Sequence, residues 1–301
     1  MNLISIFDFS RAEIEAIIET GIARKKDRKE ARRSATLEGR TLALIFEKAS
    51  TRTRVSFEVA MRELGGDVIS LNWNELQLGR GERIRETAKV LSSYVDAVMI
   101  RAYRHSTIEE FARHASIPVI NGLSNLEHPC QTLADLMTIQ EYKGTLRGVK
   151  AVWVGDGNNV CNSFIGGAAR TGMKMLVACP EGYEPDERIV EKAREIGGDV
   201  TIREDVEETA ADADVLYTDV WVSMGDEKER DRRQRDLRRY QINADLVRMA
   251  KNDVIVMHCM PVHIGEEITE EAMNSANSVL FVQAENRLHA QKALLTKLLT
   301  Y

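Results

Sequence analysis

Ser50-Thr51-Arg52-Thr53-Arg54 stands between an apolar run, Thr41 to Phe46, and a helical repeat of apolar residues from Val55 to Leu64. Such a turn can bind an anion, because a Ser or Thr cap leaves the N–H groups of the first helical turn facing whatever lies in front, and phosphate suits that place. Two arginines in the first turn oppose the helix dipole at a cost of roughly 0.3–1 kcal/mol, as expected where a bound anion offsets it; a pair of solvated surface arginines would read the same. Arg101 closes another apolar run, His128-Pro129-Cys130-Gln131 opens a helix, and Arg287 lies near the end of the chain. Arginine forks bind phosphate oxygens in pairs, while a neutral imidazole and an amide can hydrogen-bond a carbonyl oxygen and an NH2 group. Taken together these side chains suit a small phosphorylated carbonyl compound. Taken singly, His128 would as readily be structural and Arg287 a surface charge.

The elements that must position them alternate. A capping box at Ser10 and Glu13 starts the first helix, and Lys25 to Arg33 reads as a solvated helix end or loop. Strands follow at Thr41 to Phe46, Asp67 to Leu71, Asp96 to Ile100 and Pro118 to Asn121, with helical patterns between them. Strand and helix in alternation imply a parallel sheet covered on both faces, whose ligands sit at the carboxyl ends of the strands. The Ser50 turn, Arg101 and the loop from Asn121 to His128 all fall at such ends. A helix from Gln131 to Tyr142 leads to a second series: strands at Lys150 to Gly155, Lys174 to Cys179, Val215 to Thr218, Val254 to Met257 and Val279 to Val282, with helices at Asn162 to Gly172 and Glu187 to Ile196. The last stretch, Leu288 to Leu299, is an amphipathic helix. The expectation is α/β, two doubly wound parallel-sheet domains joined by helices: residues 1–133, completed by 287–301, and residues 134–286.

Composition narrows the partners. At 301 residues and 44% hydrophobic, the chain can bury two cores, and a formal charge of −6 gives no basic field toward nucleic acid or membrane. Cys130, Cys161, Cys179 and Cys259 form no C-x-x-C pair, which fits reduced thiols in a cytoplasmic protein better than a disulfide framework. The first twenty residues lack the basic and apolar regions of a signal peptide, and no run reaches the ~20 apolar residues of a membrane span.

Four motifs in order, Ser50-Thr51-Arg52-Thr53-Arg54, His128-Pro129-x-Gln131, Asp219-x-x-x-Ser223-Met224-Gly225 and His258-Cys259-x-Pro261, resemble those of the aspartate/ornithine transcarbamoylase family, and in particular its ornithine-using branch. The likeness runs from the first helix to Arg287. It implies that Ser50, Thr51, Arg52, Thr53, Arg101, His128, Gln131, Cys259, Met260 and Arg287 hold carbamoyl phosphate, with Gln77 entering the site of a neighbouring subunit in a homotrimer. It implies that Asn159, Asp219, Ser223 and Met224 hold L-ornithine, and that Arg101, His128, Asp219 and Cys259 carry the catalysis. No cofactor and no metal are expected, and the product would be L-citrulline, in arginine biosynthesis or in its reversal. The amine attacks the carbamoyl carbon and phosphate leaves, so fixed donors must face the carbonyl oxygen and the phosphate. No residue need be acylated, and the resemblance makes Cys259 a group that orients the amine beside Asp219 rather than a nucleophile. A buried strand-end thiol is the plain alternative.

Other readings compete. An acceptor without an α-carboxylate, such as putrescine, would not need Ser223 and Met224. Val152-Trp153-Val154-Gly155-Asp156-Gly157 could open a nicotinamide-binding unit, but Val160 stands where the third glycine belongs and only Glu181, beyond Pro180, could serve as the acid after the next strand. A catalytically silent relative would keep the fold and lose turnover. His258, Cys259 and His263 could ligate zinc but lack a convincing fourth ligand. Asp226 to Arg239, almost wholly charged, reads as a solvated helix or mobile loop, and its place directly after the acceptor motif makes it a candidate lid.

Overall fold

The computed structural model describes residues 1–32, 35–222 and 227–300. The chain divides into two compact units, Met1–Met137 with Glu285–Tyr301, and Thr138–Ala284.

In the first unit α1 (Arg11–Lys29) starts at Ser10, whose hydroxyl accepts the Glu13 N–H while the Glu13 carboxylate takes the Ser10 N–H, the expected capping box. There follow β1 (Thr41–Phe46), α2 (Thr51–Glu63), β2 (Asp67–Asn72), α3 (Ile84–Leu91), β3 (Ala97–Arg101), α4 (His105–His114), β4 (Val119–Leu123) and α5 (Pro129–Lys143). The four strands form one parallel sheet in the order β2-β1-β3-β4. One face of the sheet packs Ala43, Ile45, Val98 and Ile100 against Ala88, Ile108 and Phe111. Leu42, Leu44 and Met99 are buried as well, so the strands read as continuous apolar runs. The order reverses between β1 and β3, and there the strand ends Phe46 and Arg101 are register partners.

The second unit contains β5 (Lys150–Val154), α6 (Asn159–Thr171), β6 (Lys174–Ala178), α7 (Glu187–Glu195), β7 (Asp199–Arg203), α8 (Val206–Ala210), β8 (Val215–Thr218), α9 (Arg230–Asp236), α10 (Ala244–Met249), β9 (Ile255–His258) and α11 (Glu270–Met273). Its sheet is parallel, ordered β7-β6-β5-β8-β9, with the reversal between β5 and β8. Trp153 and Phe164 pack on Tyr217, ring centroids 4.8 and 5.1 Å away, which fixes α6 over β5 and β8. Finally α12 (Leu280–Leu299) begins in this unit, and its residues from Glu285 onward belong to the first; α5 is likewise shared. The α/β class with two doubly wound parallel sheets is thus as read from the sequence.

Two elements differ from that reading. Val279 to Val282 is not a strand. After a single bridge between Ser278 and Val256 the chain turns into α12, because a four-residue apolar run has no periodicity to separate strand from helix. The strand β7 goes unread for the opposite reason: it is an edge strand with charged ends and only Val200 and Ile202 apolar.

Candidate functional site

Each sheet's reversal point gathers one group of the expected residues. In the first unit Ser50 caps α2, its Oγ accepting the Thr53 N–H at 3.2 Å, so the helix N-terminus faces out just beyond β1. Thr51 and Arg52 are exposed there, Thr53 is buried, and the Glu47 N–H donates to the Arg101 carbonyl at 2.9 Å, stitching the ends of β1 and β3. Arg287, from α12, is 3% exposed and bridges the group, donating to Gln131 Oε1 at 2.7 Å and to Thr53 Oγ1 at 3.2 Å. Gln131 in turn donates through Nε2 to the buried Asp135 at 2.8 Å, which fixes its amide orientation. Burial first, then the positive charges of Arg287, Arg101 and Arg52, hold the His128 pKa well below the usual imidazole range, so this ring is neutral. Three arginines around a neutral imidazole can bind a phosphate and polarise a carbonyl without a proton changing hands.

Arg54 turns to solvent and pairs with Glu58 at 3.0 Å, so of the two arginines in the turn it is the surface one. Cys130 is buried, donates to the Asn121 carbonyl, and has its pKa pushed up to about 12 by burial, which makes it a packing thiol. Gln77 does not join the cluster through any hydrogen bond described; it is exposed at the start of a short 3-10 turn after the edge strand β2. Sequence reading also misses a support. Lys25, taken for part of a solvated stretch, is buried and donates to Asn286 Oδ1 at 2.8 Å, tying α1 to the turn of α12 that carries Arg287.

In the second unit the site rests on Asp219, one residue past β8 and 7% exposed. Its Oδ1 accepts the Cys259 Sγ–H at 2.9 Å and its Oδ2 accepts Asn158 Nδ2–H at 2.8 Å. The parallel pairing of Thr218 with His258 brings Asp219 and Cys259 level. Asn158 also caps α6, its Oδ1 accepting the N–H groups of Val160 and Cys161. The expected residue Asn159 is the first of α6, next to it; Asn158 is the one sequence reading overlooks, although an Asn before a helix is a ready cap signal. That cap occupies the helix N-terminus a nicotinamide pyrophosphate would need. The glycines have another explanation too: a Cβ on Gly157 would lie 2.2 Å from the Pro185 nitrogen.

Met260 has φ of +64°, a left-handed conformation, and its N–H donates to His258 Nδ1 at 2.9 Å. With Nδ1 accepting, His258 donates through Nε2 to Glu267 at 3.0 Å, both side chains fully buried. His258 is thereby committed to the loop and is no ligand for substrate. Ser223 and Met224 lie outside the described residues, as does Asp226. The rest of the charged segment is an ordered helix, α9, anchored by Arg233 to Asp156 at 3.0 Å and to the Trp221 carbonyl at 3.2 Å, and by Asp236 to the Tyr183 hydroxyl. Leu237 behind it is completely buried. As a lid, this part of the segment would have to break those bonds.

Comparison with known proteins agrees with both halves. Residues 1–141 match the carbamoyl-P binding domain of aspartate/ornithine carbamoyltransferases, and residues 147–298 match their Asp/Orn binding domain. An ornithine carbamoyltransferase of Archaeoglobus fulgidus is 55% identical over 99% of this chain and 97% of its own length. The Pyrococcus furiosus protein named "ornithine carbamoyltransferase, anabolic" is 52% identical over 98% of this chain and 95% of its own. A solved ornithine carbamoyltransferase structure from the same organism superposes with a TM-score of 0.95 at 52% identity, covering 99% of this chain and 96% of that one.

Proposed function

The chain belongs to the aspartate/ornithine carbamoyltransferase family and is a carbamoyltransferase, and we propose that it transfers the carbamoyl group of carbamoyl phosphate to the δ-amine of L-ornithine, giving L-citrulline and phosphate. The N-terminus of α2 with Ser50, Thr51, Arg52 and Thr53 takes the phosphate. Arg101 and the neutral N–H of His128 polarise the carbamoyl oxygen, and Arg287 and Gln131 hold the donor's remaining polar atoms. Negative charge grows on that oxygen and on the leaving phosphate, and fixed donors already face both. The phosphate can accept the amine's proton, so no acyl-enzyme is needed.

The observation that carries the acceptor is Asp219 between Asn158 and Cys259. A carboxylate held by two small donors, with the sulfur beside it, can take an amine N–H and orient the lone pair. Asn159 lies beside it, and Ser223 and Met224 follow closely in the chain to meet the amino acid's own ammonium, carboxylate and stem. Cys259 and Met260 complete the donor's contacts from the loop after β9. The exposed Gln77 is suited to reach a neighbouring chain, in a homotrimer whose sites are shared between subunits, and arginine biosynthesis in the cytoplasm is the setting we assign. The test is citrulline formation from carbamoyl phosphate with ornithine, run beside aspartate, putrescine and N-acetylornithine. Ornithine is expected to be the best acceptor by a wide margin; a better rate with any of the others ends the acceptor assignment while leaving the donor site intact.

A further inference from the structure

We propose that the loop after β9 binds a divalent metal ion through His263 Nδ1, Glu266 Oε2 and Glu267 Oε2. One ligand atom from each of the three residues lies within 4.8 Å of the other two, and His263 Nδ1 and Glu266 Oε2 are 3.7 Å apart. All three are buried, and none has a hydrogen-bond partner among the described residues. Glu267 is wholly buried. The other oxygen of each carboxylate is fully engaged. Glu267 Oε1 receives His258 Nε2–H at 3.0 Å and the His263 N–H at 2.6 Å; Glu266 Oε1 receives the Arg230 guanidinium and Gln234 Nε2–H at 2.9 Å. A tight turn closes the loop, with the Glu266 N–H donating to the His263 carbonyl and Gly265, at φ +87°, pairing with Ile268.

Two buried carboxylate oxygens without donors are costly, and a cation bound to both removes the cost. Ligating carboxylates are characteristically oriented in this way, one oxygen on the metal and the other held by outer donors. One imidazole nitrogen and two carboxylate oxygens, with a position left for water, is a donor set for zinc, cobalt or manganese. Arg230 offsets one carboxylate and leaves a net charge of −1 on the loop, which a cation would meet. His263 is 38% exposed on its side chain and provides the way in. The site is separate from the Asp219, His258 and Cys259 cluster, the other group of metal-capable side chains among the described residues, but touches it through Glu267 and His258.

Titration of the full-length protein with Co2+ tests this, with Cys259→Ala as the background so that the thiol cannot take the ion. The expected result is visible cobalt absorption without a thiolate charge-transfer band, displaced by Zn2+. It should be lost in Cys259→Ala/His263→Gln and weakened at least tenfold by Glu266→Gln, with circular dichroism of each variant matching the parent. Zn2+ should also raise the melting temperature of the background protein and not that of the His263 variant. Absence of cobalt absorption in the background protein overturns the proposal. Absorption that survives the loss of His263 overturns it equally.

Discussion

The two sheets solve the same topological problem with opposite electrostatics. At the reversal between β1 and β3, permanent charges crowd together: Arg52, Arg101 and Arg287 act on one histidine that burial keeps neutral. At the reversal between β5 and β8, one carboxylate is surrounded by a neutral amide and a thiol. The difference follows the substrates each is assigned. A phosphate is ionised throughout the neutral range, so fixed positive charge suffices. An alkylamine resembles lysine, with a pKa near 10.4, and only roughly one molecule in 2,500 is uncharged at pH 7. The first site can bind its substrate without a proton moving, whereas the second must take an amine that has to lose its proton before it reacts.

The comparison breaks most sharply at Arg101. Arg101→Ala should lower efficiency toward carbamoyl phosphate by about 30- to 5,000-fold, since a buried charge-assisted contact worth about 2–5 kcal/mol is lost, with the ornithine KM far less affected. Equal loss for both substrates would mean that the two sites are not divided as described. Asp219→Asn should cut turnover by about 10²–10⁴ and leave thermal unfolding nearly unchanged. In the parent, turnover efficiency should rise with pH as the amine deprotonates; a profile level between pH 6 and 9 counts against that requirement if chemistry limits the rate.

Arg101→Ala also reports on Gln77. If the chain forms the homotrimer proposed above, then in randomly re-formed trimers of Arg101→Ala and Gln77→Ala chains in equal amounts about one site in four combines an intact Arg101 with an intact Gln77 from its neighbour. Activity should approach that fraction, and a mixture no better than the mean of its parents would return Gln77 to its own chain. Smaller still is the effect of protons on the first site. His128 has its pKa held well below 6.5, and His289, pushed down to about 4 chiefly by burial, behaves alike. The unfolded chain therefore binds more protons than the folded one below pH 6.5, so stability from these groups is complete above 6.5 and declines as pH falls. For His289 the loss between 6.5 and 4 is at most about 3 kcal/mol, measurable by denaturant unfolding across that range. Donor binding should stay level from pH 6 to 8. Last, Arg54→Ala should change donor binding and stability by no more than about 0.5 kcal/mol, as for any exposed i,i+4 pair. A large effect there would put Arg54 back among the phosphate ligands.

How much of this could be read from the chain alone differs between the two sites for a physical reason. Ser50 to Thr53, Arg101, His128 and Gln131 could be singled out because they stand at strand-to-helix transitions, where Arg52, Arg101 and His128 carry a charge or ring that local structure has no use for. Asn158 was not, since capping α6 is a sufficient reason for an asparagine there and its second bond, to Asp219, joins residues sixty-one positions apart. Asp135 and Lys25 were hidden likewise: one reads as a polar residue in a helix, the other as part of a charged tail, and only the fold reveals Gln131 and Asn286 opposite them. The fold class was legible from alternation, while β7 and the start of α12 were lost where the pattern was too short or too charged to count.

Arg287 joins Thr53 across 234 positions of chain. During synthesis the ribosome must release the whole of the second unit before α12 can return to the first, so until then a nascent chain holds Ser50, Arg52 and His128 without the arginine that links Thr53 to Gln131. Donor binding is therefore a property the polypeptide acquires only once α12 has emerged, and any stalled product that stops before α12 should be blind to carbamoyl phosphate however well its first sheet has formed.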